Sequence, residues 1–112
     1  MNDVWLAGFI EGEGSFSLYF APNGRPEVRF QICSTDYDVI SKVYYLIGYG
    51  SFFERKSKNK LAIKPIYGVG LSGNKQCMKL IDRIYSYMGE RRKSKMDEIR
   101  REINDWKGRR KK

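Results

Sequence analysis

The first 20 residues constrain the fold most strongly, because a short helix with two different faces is followed at once by an alternating strand. At 3.6 residues per turn, residues 3 to 12 place large apolar side chains on one side of that helix. The other side holds small residues with a valine and a glutamate: Val4, Ala7, Gly8, Glu11 and Gly12. Each interior glycine costs a helix about 1 kcal/mol relative to alanine. Small residues spaced four apart let a second backbone pack closely against a helix. This side of the helix is therefore predicted to contact a second backbone.

Two half-buried strands follow the helix. Residues 15 to 20 alternate polar and apolar side chains, and residues 27 to 32 repeat the alternation. A turn rich in proline, asparagine and glycine separates them, which predicts a hairpin. The polar positions of both strands then share one face of a sheet.

The remaining chain predicts a second hairpin between helices. A helix is expected over residues 36 to 47, then strands over 51 to 56 and within 63 to 71, joined by a basic turn at 57 to 60. A helix from residue 73 or 74 to 88 and a terminal helix complete the order α-β-β-α-β-β-α plus one helix. This order favours an α+β fold with a four-stranded antiparallel sheet, helices covering its apolar face and the other face left polar.

Composition narrows the chemistry. A chain of 112 residues forms one domain with a single modest core. The absence of histidine argues against histidine-based catalysis and zinc binding. Cys33 and Cys77 lie in apolar periodic segments and are expected to be reduced core residues. No secretion signal or membrane-length apolar run is visible, so we expect an intracellular protein, made in an organelle or in bacterial cytoplasm, with no membrane partner.

The net charge of +9 points to a polyanionic partner, with nucleic acid favoured over a merely lysine-rich solvated surface. Residues 1 to 89 carry 11 basic against 8 acidic residues, and residues 90 to 112 carry 11 against 5. The excess is therefore concentrated at the C-terminal end. Residues 109 to 112 are expected to be a frayed basic tail.

The polar sheet face is suited to a DNA major groove, where arginine reads guanine and glutamine reads adenine. Phe53 and Tyr67 are further candidates for this face, and the lysines are placed for phosphate contacts that carry no base information. An ordinary solvated sheet face would hold many of the same residue types. The candidate DNA-binding residues are Ser15, Ser17, Tyr19, Arg29, Gln31, Arg55, Lys56, Lys58 and Lys60.

The segment from residue 6 to residue 14 resembles the signature of the LAGLIDADG homing endonucleases. Identities fall at Leu6, Ala7, Gly8, Ile10 and Gly14, and Glu11 and Glu13 occupy the two acidic positions. The resemblance implies a single-motif domain over residues 1 to 108 that works as a homodimer. It also implies metal-dependent hydrolysis of a long, nearly palindromic double-stranded DNA target. An intron-encoded origin is a further implication of the resemblance.

The resemblance further implies roles for individual residues. Glu13 stands at the metal-binding position, with the Gly12 carbonyl as a possible additional ligand for Mg²⁺. Lys93, with Arg92 close behind, falls where the family carries a catalytic basic residue. Glu11 is expected to be structural, and the expected dimer interface comprises Val4, Ala7, Gly8, Glu11 and Gly12.

Three other functions stay open at this point. The same family includes RNA-binding maturases that assist intron splicing, so RNA is an alternative partner. A DNA-binding module that no longer cuts is the second alternative. The third is a basic α/β RNA-binding protein unrelated to the family.

Overall fold

The computed structural model describes residues 2–56 and 65–110, and these residues form the predicted order of helices and strands. A 3₁₀ turn, Tyr85–Tyr87, connects the last two helices. The elements are α1 Asn2–Glu13, β1 Ser15–Phe20, β2 Pro26–Ser34, α2 Tyr37–Ile47, β3 Ser51–Arg55, β4 Ile66–Ser72, α3 Asn74–Ile84 and α4 Glu90–Arg110. None of the described helices is long and apolar enough to cross a membrane.

The four strands form one antiparallel sheet in the order β1-β2-β4-β3, so each predicted hairpin supplies one edge strand and one central strand. Ser15 pairs with Gln31, and Gln31 pairs on its other side with Gly70. Gly70 in turn pairs with Ser51. Because side chains of laterally paired residues point to the same face, one row of residues crosses the whole sheet.

The helices pack on the face of the sheet opposite to this row and enclose the core. Apolar side chains from every helix and from three strands are almost fully buried there, among them Leu6, Ile10, Phe30, Ile40, Val69, Leu80, Met96 and Ile99. No polar or charged residue among those described is buried. The predicted division into an apolar and a polar sheet face is confirmed.

Two polar side chains hold these layers in place. Arg83 of α3 forms an ion pair with Asp3 of α1 at 2.8 Å and donates to the Ile47 carbonyl at 3.3 Å, so it joins three helices. Asn74 accepts from the Val28 amide and donates to the Pro26 carbonyl, which fixes the start of α3 against β2. These contacts set the position of α1 relative to the sheet.

Several predicted boundaries shift for local reasons. Asp36 caps α2 from outside, accepting from the amides of Asp38 and Val39, and Gly48 ends that helix at a φ of 86°. The helix expected to reach residue 88 stops at Ile84, where the 3₁₀ turn begins. The last helix continues to Arg110, into the end expected to be frayed.

Two predictions about side-chain direction are wrong. Tyr67 points toward the helices, because it is in phase with the buried Val69 and Leu71 of β4, and its ring contacts those of Tyr37 and Phe52. Cys33 lies on the polar face, in phase with Arg29 and Gln31, whereas Cys77 is buried as predicted. Burial raises the pKa of the Cys77 thiol to about 11.

Candidate nucleic-acid interface

The outward sheet face forms an open groove of about 780 Å³. It brings together Glu13 from the end of α1 with residues of all four strands. Five of the predicted DNA-binding residues line it: Ser15, Ser17, Tyr19, Arg29 and Gln31. Four further outward residues, Cys33, Ser51, Gly70 and Ser72, complete its polar lining.

Two arginines on this face rest on aromatic rings. The guanidinium of Arg29 lies 5.0 Å from the centre of the Tyr19 ring, and that of Arg55 lies 4.8 Å from the centre of the Phe53 ring. A cation held over a ring loses some of its rotational freedom before any ligand arrives. Arg29 and Arg55 are thus partly oriented donors on β2 and β3.

Cys33 is a residue of the groove that the sequence interpretation missed. Its sulfur accepts a hydrogen bond from the Gln31 side-chain amide at 3.2 Å, so it orients a predicted base-reading residue. The alternation of β2 does indicate this direction, since Arg29, Gln31 and Cys33 are spaced by two. The prediction fails because cysteine is commonly a buried apolar residue, which favours the core over the polar face.

Glu13 ends α1 with an exposed carboxylate at the groove. Gly14 follows, and its amide donates to the Ile10 carbonyl at 2.8 Å. A Cβ on Gly14 would lie 2.9 Å from Cγ2 of Ile10 and 3.1 Å from Cε1 of Phe30. Glycine is therefore needed where the chain passes from α1 to β1, which is the turn that sets Glu13 at the groove.

The end of α1 offers oxygen atoms of the kind that Mg²⁺ prefers. The last carbonyls of a helix have no partner within it and carry a partial negative charge. Arg92 occupies the carbonyl of Glu11, and the carbonyl of Gly12 lies next along the chain, beside Glu13. Within residues 2–56 and 65–110 no cluster of three acidic or cysteine side chains could hold a metal ion. One chain thus fits a magnesium site only in part, as is usual where water and substrate phosphate complete the shell.

Of the two predicted basic residues, Arg92 contacts the end of α1, and neither lines the groove. Nη2 of Arg92 donates to the Glu11 carbonyl at 3.0 Å, which ties α4 to α1. Nζ of Lys93 lies 5.5 Å from the centre of the Tyr85 ring. The pKa of Tyr85 is raised, chiefly because its hydroxyl donates to the Asp97 carboxylate. The Tyr85 ring thus offers Lys93 a cation–π contact.

Glu11 contacts the start of α4. Its carboxylate accepts from the Gly89 amide at 3.5 Å, and a Cβ on Gly89 would lie 3.1 Å from that carboxylate. Together with the Arg92 contact, these distances show Glu11 at a junction between helices. This arrangement is consistent with the structural role expected for it.

The outer side of α1 is exposed, with one correction to the predicted interface. Val4 is 55% exposed, and Gly8, Glu11 and Gly12 are also exposed. Ala7 is only 1% exposed and belongs to the core, because it shares the inward stripe of Leu6 and Ile10 at spacings of three and four. A Cβ on Gly8 or Gly12 would meet nothing within 4 Å, so the chain itself does not require glycine at either position.

The remaining lysines of the predicted interface are only partly described. Lys56 is exposed directly after β3. Lys58 and Lys60 lie outside the described residues, as do the predicted basic turn and the first part of the expected fourth strand.

Solved structures with the same arrangement are DNA endonucleases. The meganuclease I-AabMI, bound to uncleaved DNA, aligns with 98% of this chain at a TM-score of 0.73 and 18% identity. The chain has the fold of the LAGLIDADG homing endonucleases. The homing endonuclease I-CvuI, in complex with its target in the presence of Ca, aligns with 92% of the chain at a TM-score of 0.64 and 16% identity.

The archaeal intron-encoded endonuclease I-Vdi141I, complexed with DNA, is 26% identical over 76% of the chain at a TM-score of 0.54. No protein-family model and no curated protein sequence matches the chain. The chain spans 38% of the I-AabMI chain, 68% of the I-CvuI chain and 54% of the I-Vdi141I chain. The resemblance of residues 6 to 14 to the LAGLIDADG signature is thus confirmed at the level of the fold.

Proposed function

We propose that this protein is a site-specific endonuclease that cleaves double-stranded DNA. The observation that carries the proposal is the groove, where Glu13 lies together with Arg29, Gln31 and the serines of β1 on one sheet face. A carboxylate able to hold a metal ion and side chains able to read base edges are therefore available to the same ligand. DNA in the solved complexes of proteins with the same fold supports this choice of ligand.

The proposed cofactor is Mg²⁺, held by the carboxylate of Glu13 with the carbonyl of Gly12. The metal would supply an activated water and charge stabilisation at the departing 3′ oxygen. The presence of Ca or Mg in structures of I-CvuI with DNA supports a divalent ion. Lys93 and Arg92 are proposed to stabilise charge on the phosphate, with Arg92 also holding the end of α1 through Glu11.

The proposed active form is a homodimer joined along the outer side of α1. Val4, Gly8, Glu11 and Gly12 form this surface. The two glycines support it, because they weaken the helix while no contact among the described residues explains them. A twofold pairing there would bring two copies of Glu13 together, one for each DNA strand. An intron-encoded origin and the compartment of synthesis stay predictions.

Selection from a randomised duplex library tests the function. The protein is incubated with the library at low salt, bound sites are recovered and sequenced, and those sites are then incubated with the protein and Mg²⁺. We expect the selection to recover one long, nearly palindromic site, and the protein to cut both of its strands. Bound sites that stay intact with Mg²⁺, Mn²⁺ and Ca²⁺ would contradict cleavage, and a preference for structured RNA over every duplex would contradict DNA as the substrate.

A further inference from the structure

Gly70 stands at an unusual place for a glycine. It lies in β4, a central strand, and it pairs with Gln31 on one side and Ser51 on the other. Glycine weakens a strand interior, because it has no side chain to pack and loses more backbone entropy on folding than other residues. Such a glycine commonly marks a bulge, a tight bend or the close approach of a ligand.

Contacts within the fold explain the glycines at residues 68 and 14 but not the glycine at residue 70. A Cβ on Gly68 would lie 2.7 Å from Cε2 of Phe53, whose ring lies across that position, and Gly14 is crowded by Ile10 and Phe30. A Cβ on Gly70 would be 3.8 Å from both the Phe30 carbonyl oxygen and Cε1 of Phe53, which is ordinary contact. Gly70 also lacks the positive φ that would favour glycine.

The space above Gly70 belongs to the groove. The side chains of its two pairing partners, Gln31 and Ser51, line the groove beside it, and Gln31 is oriented by the sulfur of Cys33. A Cβ at residue 70 would project between them. A flat ligand lying against the strand at this point would be pushed away from both polar side chains.

We propose that Gly70 is a specificity-determining position at which the edge of one base pair contacts the sheet, so that Gln31 reaches it. This inference rests on the proposed DNA-binding function. Glutamine makes two hydrogen bonds to the N6 and N7 atoms of adenine in the major groove. With glycine at residue 70, a base edge can approach the Gln31 amide without meeting a side chain from the neighbouring strand. The preferred partner of Gln31 is therefore an A·T pair, repeated once in each half of the site.

Gly70→Ala tests the inference in the duplex selection. The variant is expected to bind the parental site 5- to 150-fold more weakly for each half-site, the range for losing one good two-bond base contact. Its preference should relax at one base pair per half-site, and Gln31→Leu should relax the same pair. Affinity for unrelated duplex should stay unchanged, since phosphate contacts supply it.

The controls separate the possible failures. Gly70→Ala should melt within a few degrees of the parental protein, whereas Gly14→Ala should melt lower, because its Cβ would lie 3.0 Å from the Ile10 carbonyl oxygen and against two buried side chains. Loss of stability in Gly70→Ala as large as in Gly14→Ala would overturn the inference, since the fold itself would then need the glycine. Unchanged site affinity and preference would also overturn it. If the parental protein selects no duplex at all, the proposed function fails and the role of Gly70 falls with it.

Discussion

Replacing Gly14 by alanine tests how the chain places Glu13 at the groove. The new Cβ would lie 2.9 Å from Cγ2 of Ile10, 3.0 Å from the Ile10 carbonyl oxygen and 3.1 Å from Cε1 of Phe30. The carbonyl cannot retreat freely, because it accepts the hydrogen bond from the Gly14 amide. The Ile10 side chain and the Phe30 ring are both buried. The strain must therefore be taken up by the core or by the turn.

Overpacking of this kind destabilises a core by about 1 to 3 kcal/mol. An unfolding entropy of about 2.1 cal/mol/K per residue gives about 0.24 kcal/mol/K for a chain of this size, so each kcal/mol lowers Tm by about 4 °C. Gly14→Ala should accordingly melt about 4 to 12 °C below the parental protein. Thermal unfolding followed by circular dichroism measures this difference.

Gly12→Ala is the matched control, two residues earlier in the same segment. Its Cβ would meet nothing within 4 Å, and alanine is the better helix former by about 1 kcal/mol. At concentrations where sedimentation finds only monomer, Gly12→Ala should melt at or slightly above the parental temperature. Equal melting temperatures for Gly14→Ala and the parental protein would refute the steric argument.

Three further predictions concern association, salt and thiol reactivity. Gly8→Leu should abolish dimers in sedimentation while leaving the monomer folded, because the leucine would fill the space that a partner backbone needs; a variant still dimeric would contradict the α1 interface. DNA affinity should fall by about 10³ to 10⁵ between 50 and 200 mM salt if 6 to 10 phosphates are contacted, and a flat dependence would count against the basic footprint. Iodoacetamide at pH 8 should modify the half-exposed Cys33 and spare Cys77, which is buried and whose raised pKa of about 11 keeps it a thiol. Specific duplex should protect Cys33, and equal modification with and without DNA would place the ligand elsewhere.

The local patterns of the sequence predicted most of the fold because each half-buried element carries its own period. The alternation from Ser15 to Phe20 and again in β2 assigned the polar face, and the later helices follow their apolar stripes. The direction of Tyr67 cannot be predicted from its strand, because Gly68 and Gly70 follow it and have no side chains that would complete a polar alternation. Ala7 was misassigned because a small residue gives no sign of which side of a helix it faces.

Contacts between distant residues could not be predicted in this way. Arg92 reaches the Glu11 carbonyl across 81 positions, and Arg83 reaches Asp3 across 80. No periodicity encodes such pairs, because they depend on how finished helices pack. The groove itself is a product of that packing, which brings the end of α1 to the polar sheet face.

The most direct test of the account compares the parental protein with Glu13→Gln on the selected duplex, measuring binding in Ca²⁺ and cleavage in Mg²⁺. Glu54→Gln is the matched control, since it also removes one exposed negative charge but lies on β3 outside the groove lining. Glu13→Gln is expected to bind the site as the control does and to cut neither strand, while Glu54→Gln should cut like the parental protein. Cleavage by Glu13→Gln at the parental rate would contradict the assignment of Glu13 as the metal-holding carboxylate.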